Sequence, residues 1–555
     1  MAMPQVIPFD YARHFPFPEI RSEQHQAIKF ALDAFLNKKK KFVILEMGTG
    51  CGKSATAIAI ARYLQALYES GGTKLGGSYI ITTQKVLQEQ YVRDFGGIKG
   101  RLKQIKSASG YCCQLFEGAE NEVSCADIQR LLKSEASCGI VYKICKEEDD
   151  GSSSCKFKIA KSAFTQGVEG ITNYAYFLAS STYAKDIVPR GLLILDEAHN
   201  VENAVGSFVK ISFSNFFYKT ILGIKTPPIN AGQKVVYDWL TQVCLPKLRD
   251  VIRKEKRKIE RTEDSLEAIE SAKRMEVLKR NQSKIEHFIQ TYDPDVWVLD
   301  SSKTDKRGER MYEFKPIVVG QYCQSMLFST CERVLILSAT ILDKDVYCES
   351  VGIDRNDVEF LQVPSPFDPK KRPIHYLPVG SMSKNAIEQT LPAMVQIIKM
   401  LLDQHPNDKG IIHCVNYRIA DHVLRELGQS RLLTHNSENR EEVIKFHMSS
   451  PHPTVLLSPS MMEGVDLADD ASRFQILCKI PFPYLGDAAV QKRMKANPTW
   501  YTYQTCKAVV QAMGRSVRNE DDHATSYILD ADWERFYRNA KNMFPHEFSA
   551  AIIQS

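Results

Sequence analysis

Nowhere in the 555-residue chain do 18 apolar residues follow one another, so no membrane-spanning helix is expected. Residues 1–21 contain no cationic segment leading into an apolar run, which argues against a secretory signal. These two absences predict a soluble, cytoplasmic protein. Internal repeats and long low-complexity tracts are also missing, which excludes a solenoid or an array. Charge of one sign is in little excess. A net charge of +6 and a pI near 8.5 permit a nucleic-acid partner but fit an ordinary basic enzyme equally well.

Apolar residues make up 44% of the chain and charged residues 25%, an ordinary globular composition with material for several cores. The length predicts roughly three or four domains. Short apolar runs at 42–46 (FVILE), 78–83, 191–195, 333–337, 410–415, 454–458 and 474–480 alternate with helical patterns such as 53–68, 417–428 and 502–513. Apolar strands separated by helices predict an α/β protein with parallel sheets covered on both faces. Two regions break the pattern. Residues 99–165 hold six of the 14 cysteines and an acidic, serine-rich patch, EEDDGSSS. Residues 201–312 hold a long, mixed-charge segment at 247–280. That segment predicts long projecting helices, an antiparallel pair, with a plain solvated face as the alternative.

After the first apolar run comes Met47-Gly48-Thr49-Gly50-Cys51-Gly52-Lys53-Ser54. The strict phosphate-loop pattern begins with Gly and here begins with Met47, but the remainder fits. Glycines let backbone N–H groups curl around an anion, and the helix that follows adds positive potential. Lys53 is placed to reach the β- and γ-phosphates of ATP and Ser54 to hold Mg²⁺. Cys51 reads only as a small residue. At the end of a later strand, LLILDEAHN (192–200) puts Asp196 and Glu197 where ligands bind in open parallel sheets. Asp196 is expected on Mg²⁺, and Glu197 on the attacking water. His199 is expected to couple the nucleotide to the neighbouring domain. About 315 residues later, QAMGRSVR (511–518) supplies Gln511, Arg515 and Arg518. The two arginines share one helical face and suit the γ-phosphate, with a surface salt-bridge face as the alternative.

Taken in order, these strings resemble the superfamily-2 helicases of the XPD and DinG family. HFPFPEIRSEQHQAI (14–28) is similar to the adenine-side motif, with Arg21 and Gln24 as contacts, and LEMGTGCGKS (45–54) to motif I. TTQKVLQEQ (82–90) resembles motif Ia, LDEAHN (195–200) motif II, LSATI (337–341) motif III and PSPF (364–367) a short family signature. GIIHCVNYRIADHV (410–423) resembles motif IV, SPSMMEGVDLADD (458–470) motif V and QAMGRSVR motif VI. The resemblance implies two RecA-like motor domains with two insertions in the first. Residues 1–98, 166–200 and 313–345 would form motor domain 1. Residues 99–165 would form an iron–sulfur domain, 201–312 a helical arch, and 346–555 motor domain 2. Within motif V, Gly464 and Asp466 would link nucleotide and strand contacts.

The family carries a 4Fe–4S cluster on four cysteines. The resemblance points to Cys112 and Cys155 as outer ligands and Cys138 and Cys145 as the middle pair, with Cys125 or Cys113 as rivals. A zinc site and ordinary buried cysteines are the alternatives to a cluster. Expected strand grips are Thr82, Thr83 and Gln84 in motif Ia and His413, Asn416 and Arg418 in motif IV. Tyr111, Tyr142 and Phe157 could stack bases or pack the small domain.

The implied activity is an ATP-dependent 5′-to-3′ DNA helicase, a monomer acting on single-stranded and tailed duplex DNA. The chain is short for the family, which suits a bacterial, archaeal or phage form. The alternative is an ATP-regulated nucleic-acid-binding subunit of a larger complex that unwinds little.

Overall fold

A computed structural model describes residues 9–48, 50–83, 85–97, 101–113, 124–126, 155–228, 230–262, 265–305, 307–436, 439–459, 467, 469–514, 516–517 and 522–553. The strands of the first lobe are β1 (Phe42–Met47), β2 (Ser78–Thr82), β3 (Leu102–Gln104), β4 (Glu169–Asn173), β5 (Arg190–Leu195), β9 (Cys331–Ser338) and β10 (Val358–Val363). They form one parallel sheet in the order β10-β1-β9-β5-β2-β4-β3. Residues of β1, β2 and β5 are buried throughout, which is why they read as unbroken apolar runs. Alternate residues of β1 serve opposite faces. Phe42 and Ile44 enter one core and Val43, Leu45 and Met47 the other, packed under helix Lys53–Glu69.

The second lobe repeats the plan. Its strands are β11 (Ile374–Gly380), β12 (Gly410–His413), β13 (Leu432–Thr434), β14 (Val455–Ser458), β15 (Phe474–Leu477), β16 (Thr525–Asp530) and β17 (Ile552–Ile553). The order is β13-β14-β12-β15-β16-β11-β17, again all parallel. In both sheets the chain crosses by helices, so the loops at the strands' carboxyl ends converge on a common crevice. Two expected boundaries shift. β10 pairs with β1, so the first lobe continues past residue 345 and the second sheet begins only at Ile374. β3 lies within the stretch expected for the cysteine domain yet pairs with β4 in the motor sheet. Both strands are short or only partly buried and so carry a weak apolar signal.

The charged insertion folds as a long helical hairpin, helix Leu245–Arg261 against helix Ser265–Thr291. Arg249 meets Glu286 at 2.6 Å, Glu255 meets Arg274 at 3.2 Å and Lys258 meets Glu267 at 3.0 Å. One number of each pair rises while the other falls, so the helices are antiparallel. The expectation of helices alone was incomplete. β6 (Ile211–Ser214), β7 (Trp297–Asp300) and β8 (Met311–Pro316) form an antiparallel sheet at the hairpin's base.

That base is fastened to the second lobe. Lys315 pairs with Asp487 and with Glu313, the latter at 2.9 Å, while Lys303 and Lys210 also reach Glu313 at 2.8 and 3.3 Å. Burial opposes ionisation of Glu313, but these ammonium groups hold its carboxyl down at about 2. Deeper in, Glu202 pairs with Arg493 and accepts from Gln504 Nε2 at 2.9 Å, while the Arg493 guanidinium lies over the Trp500 ring at 4.2 Å. Both partners are close to fully buried. Arg493→Ala strands the Glu202 carboxylate and is expected to cost about 3–5 kcal/mol. Denaturant melts will measure it. The double replacement Glu202→Gln/Arg493→Met should recover most of the loss, and a single-variant cost below about 1 kcal/mol would show that the pair bears no weight.

Candidate active site between the two lobes

The phosphate loop turns on glycines. Gly50 and Gly52 have φ of +78° and +75°, in the left-handed region where an L side chain is strained. A Cβ on Gly52 would also stand 2.1 Å from Gln24 Nε2. Gln24 therefore lies directly against the loop. Its Nε2 donates to Gly52 O at 3.4 Å, and its Oε1 accepts from the Arg21 N–H at 3.0 Å. The two expected adenine-side residues meet the loop as a unit. Gly48 is closed in by Ser365, whose Cβ would lie 3.3 Å from an added Cβ. Lys53 heads helix Lys53–Glu69, and its Nζ donates to Met47 O and Gly48 O at 3.3 and 3.4 Å. An anion in the loop would compete for that ammonium.

Ser54 and Asp196 approach each other through Tyr91. The Tyr91 hydroxyl donates to Asp196 Oδ2 at 2.9 Å and also meets Ser54. Burial, then the neighbouring Glu197, push the Asp196 carboxyl up to about 6, against the pull of Lys53. Among the described residues no group of three or more His, Cys, Asp or Glu could cage a metal. One carboxylate and one hydroxyl beside a phosphate loop fit Mg²⁺, which keeps waters and shares substrate phosphates rather than needing an all-protein cage.

The raised Asp196 value carries a pH dependence. A carboxyl with a higher pKa folded than unfolded costs stability as pH rises from the unfolded value of 3.8 to about 6. Above that window the full cost, up to about 3 kcal/mol, persists. Asp196→Asn should therefore raise the melting temperature of the nucleotide-free protein at pH 8 and leave it unchanged near pH 4. Equal shifts at both pH values would contradict the assignment.

Glu197 has φ of +50°, an uncommon conformation for a side-chain-bearing residue, and it lines the cleft. From it a chain of contacts crosses the molecule. Glu197 Oε2 lies 3.3 Å from His199 Nδ1, which is 2.9 Å from Ser338 Oγ. Asn200 Nδ2 donates to His199 Nε2 at 3.0 Å, which leaves the ring proton on Nδ1, facing Ser338 and Glu197. Ser338 Oγ accepts from Thr340 N at 3.0 Å, and Thr340 Oγ1 accepts from Gln511 Nε2 at 3.1 Å. Lys507 Nζ donates to His199 O at 3.2 Å. Gln511 and Lys507 lie on helix Pro498–Met513 of the second lobe, so the carboxylate and the far lobe are joined by direct contacts. The cleft between them spans about 1070 Å³ including its open mouth.

Arg515, Arg518, Thr49, Gly464 and Asp466 lie outside the described residues, as do Gln84, Tyr142, Cys138 and Cys145. The structure revises several of the others. Thr82 and His413 are fully buried, so neither side chain grips a phosphate. Asn416 caps helix Tyr417–Leu427 by accepting from Ile419 N at 2.9 Å, and Arg418 is paired with Glu388. Thr83 lines the nucleotide cleft. Phe157 is buried, with Tyr111 edge-on at 5.6 Å, so this aromatic pair packs the small domain. Sequence reasoning missed Tyr91, Ser365, Arg372 and the helix His546–Ala551, which walls the cleft with Glu547 and Phe548. Tyr91 resembles any apolar-face residue, and Arg372 sits in the basic run KKR.

Among the described residues no disulfide links the cysteines. Cys155 caps helix Lys156–Gln166, and its Sγ lies 3.8 Å from Cys125 Sγ. Cys112 pairs across a β-bridge with Ser124, beside Cys125. Cys125, ranked as a rival, is thus the thiol brought against Cys155. Soft thiols gathered from distant positions fit a thiolate-bound metal or cluster.

Comparison with known proteins accords with this geometry. The model of the type III restriction enzyme res subunit matches residues 17–227, and that of the helicase C-terminal domain matches 398–551. The ATP-dependent DNA helicase DinG of Photobacterium profundum is 25% identical over 248 residues, 41% of this chain and 35% of that protein. The chain is thus similar, over part of its length, to ATP-dependent DNA helicases. A regulator of telomere elongation helicase 1 homologue from Caenorhabditis briggsae is 32% identical over 118 residues, 18% of this chain and 12% of its own length. The chain thus aligns with about a third or less of these relatives' length. A solved structure titled XPD_Helicase superposes with a TM-score of 0.66 at 14% identity, covering 95% of this chain and 99% of that one. That of S. tokodaii Xpd4 gives 0.56 at 13%, covering 96% and 99%. The two-lobed fold is therefore shared with these structures over most of the chain.

Proposed function

We propose that this protein is an ATP-dependent DNA helicase that translocates 5′ to 3′ on single-stranded DNA. The contact path from Glu197 through His199, Ser338 and Thr340 to Gln511 carries the reading. A nucleotide in the phosphate loop lies at one end of that path and the second lobe at the other, so hydrolysis changes the relation of the lobes. Lys53 holds the phosphates, Ser54 and Asp196 the Mg²⁺, and Glu197 the attacking water. Mg²⁺ neutralises charge on the phosphates when bound. Arg515 and Arg518 would supply positive charge to the γ-phosphate, while Gly464 and Asp466 would link nucleotide to strand.

The 4Fe–4S cluster belongs to the same proposal. Cys112, Cys125 and Cys155 would supply three thiolates, and Cys138 or Cys145 the fourth. An anaerobic preparation should be coloured and contain iron and labile sulfide, whereas a colourless zinc protein would remove the cluster and spare the motor. Strand displacement decides the function. Duplexes with a 5′ single-stranded tail should be unwound by the monomer in the presence of ATP, and those with only a 3′ tail should not. ATP-dependent binding without displacement of either would favour a regulated binding subunit.

A further inference from the structure

Arg372 is the unexplained cation of the cleft. It lies just before β11, next to the last strand of the second sheet, and lines the cavity with Gly48, Ser365, Glu547 and Phe548. Among the described residues its Nε and Nη2 are buried with no hydrogen-bond partner. Glu547 is near enough to act on it electrostatically but forms no ion pair with it, and Cys51 of the phosphate loop also lies close by. A buried guanidinium with two idle donors is costly to fold around. Such costs are retained where a ligand relieves them.

We propose that Arg372 binds the α- and β-phosphates of the nucleotide from the second lobe, as a cation separate from the motif VI arginines. Three observations converge. Arg372, its orphaned donors buried, lines a cavity that also contains Gly48 of the phosphate loop. Cys51, in the loop whose amides cradle the α- and β-phosphates, lies close to Arg372. A planar guanidinium offers paired donors that match phosphate oxygens. This role rests on the nucleotide reading above and extends it. Arg372 would contribute to binding ADP as much as ATP, so the lobes would stay in contact through the nucleotide after hydrolysis.

The test uses the full-length protein, fluorescent ATP and ADP analogues, and thermal melts. Arg372→Gln and Arg372→Met should weaken ATP and ADP alike, by about 10-fold or more, since a hydrogen bond to a charged group is of that size. Both variants should melt at a higher temperature than wild type without nucleotide, because an unpaired buried charge is gone. A purely structural arginine would do the reverse. Unchanged affinities, or a loss confined to ATP, would overturn the assignment to the α- and β-phosphates, and so would a lower melting temperature with normal affinity. Lys53→Ala serves as the control. If wild type binds nucleotide and Lys53→Ala does not, the site stands whatever Arg372 does. If wild type binds none, the nucleotide reading itself fails.

Discussion

Lys53→Ala should abolish ATP turnover, by about 10³-fold or more, while leaving single-strand binding nearly intact. The size follows from what the ammonium does. It is the only cation of the described loop and lies within 3.4 Å of two loop carbonyls, so a phosphate entering there exchanges neutral acceptors for a charged one. Preorganised charge of this kind acts on developing negative charge with no reorganisation during reaction. Removing it should not unfold the chain, since helix Lys53–Glu69 buries its apolar face through Ala57, Ile58, Ile60 and Leu64. Strand binding needs phosphate contacts rather than the nucleotide loop and is not expected to change. Filter binding and phosphate release on the same preparation will check both. Equal loss of the two in a folded variant would mean that nucleotide and strand share one site.

The second large effect concerns Glu197. Glu197→Gln keeps the shape and removes the base, and should slow turnover by about 10²–10⁴-fold with ATP affinity preserved. It should also alter its neighbour. The Glu197 charge helps raise the Asp196 carboxyl to about 6, so in the variant Asp196 should ionise at lower pH. Mg²⁺-dependent nucleotide binding, which needs the ionised carboxylate, should then persist to more acidic pH than in wild type. Calorimetric titration across pH 5–7 measures this directly. An unshifted midpoint would mean that the two carboxylates do not interact.

How much of this was legible beforehand varied with burial. β1, β2, β5 and β9 were readable because both faces are covered and each carries consecutive apolar residues at its centre. β10, VEFLQV at a sheet edge, and β13, three residues long, lack that signature. The helical hairpin could be read from charge pairing, but the three-stranded sheet at its base could not, because β7 and β8 are short and of mixed polarity and β6 joins them only from across the whole helical insertion. In the site, the loop and the Asp-Glu pair were legible because their chemistry fixes their spacing. Thr82 and His413 were misjudged for a specific reason. Each ends a strand, and a motif shows that a residue is near the strand's end but not which face its side chain takes. Arg372 could not be found at all from sequence, since what distinguishes it from Lys370 and Lys371 is the loss of solvent and partners in three dimensions.

One measurement bears most directly on the coupling of nucleotide to strand: steady-state ATP hydrolysis by the full chain with and without single-stranded DNA. Strong stimulation by the strand, absent in Lys53→Ala, is the expected result, because the path from Glu197 to Gln511 ties the cleft to the lobe that must move. Hydrolysis indifferent to the strand, in protein that binds both, would show that the lobes do not work as a motor.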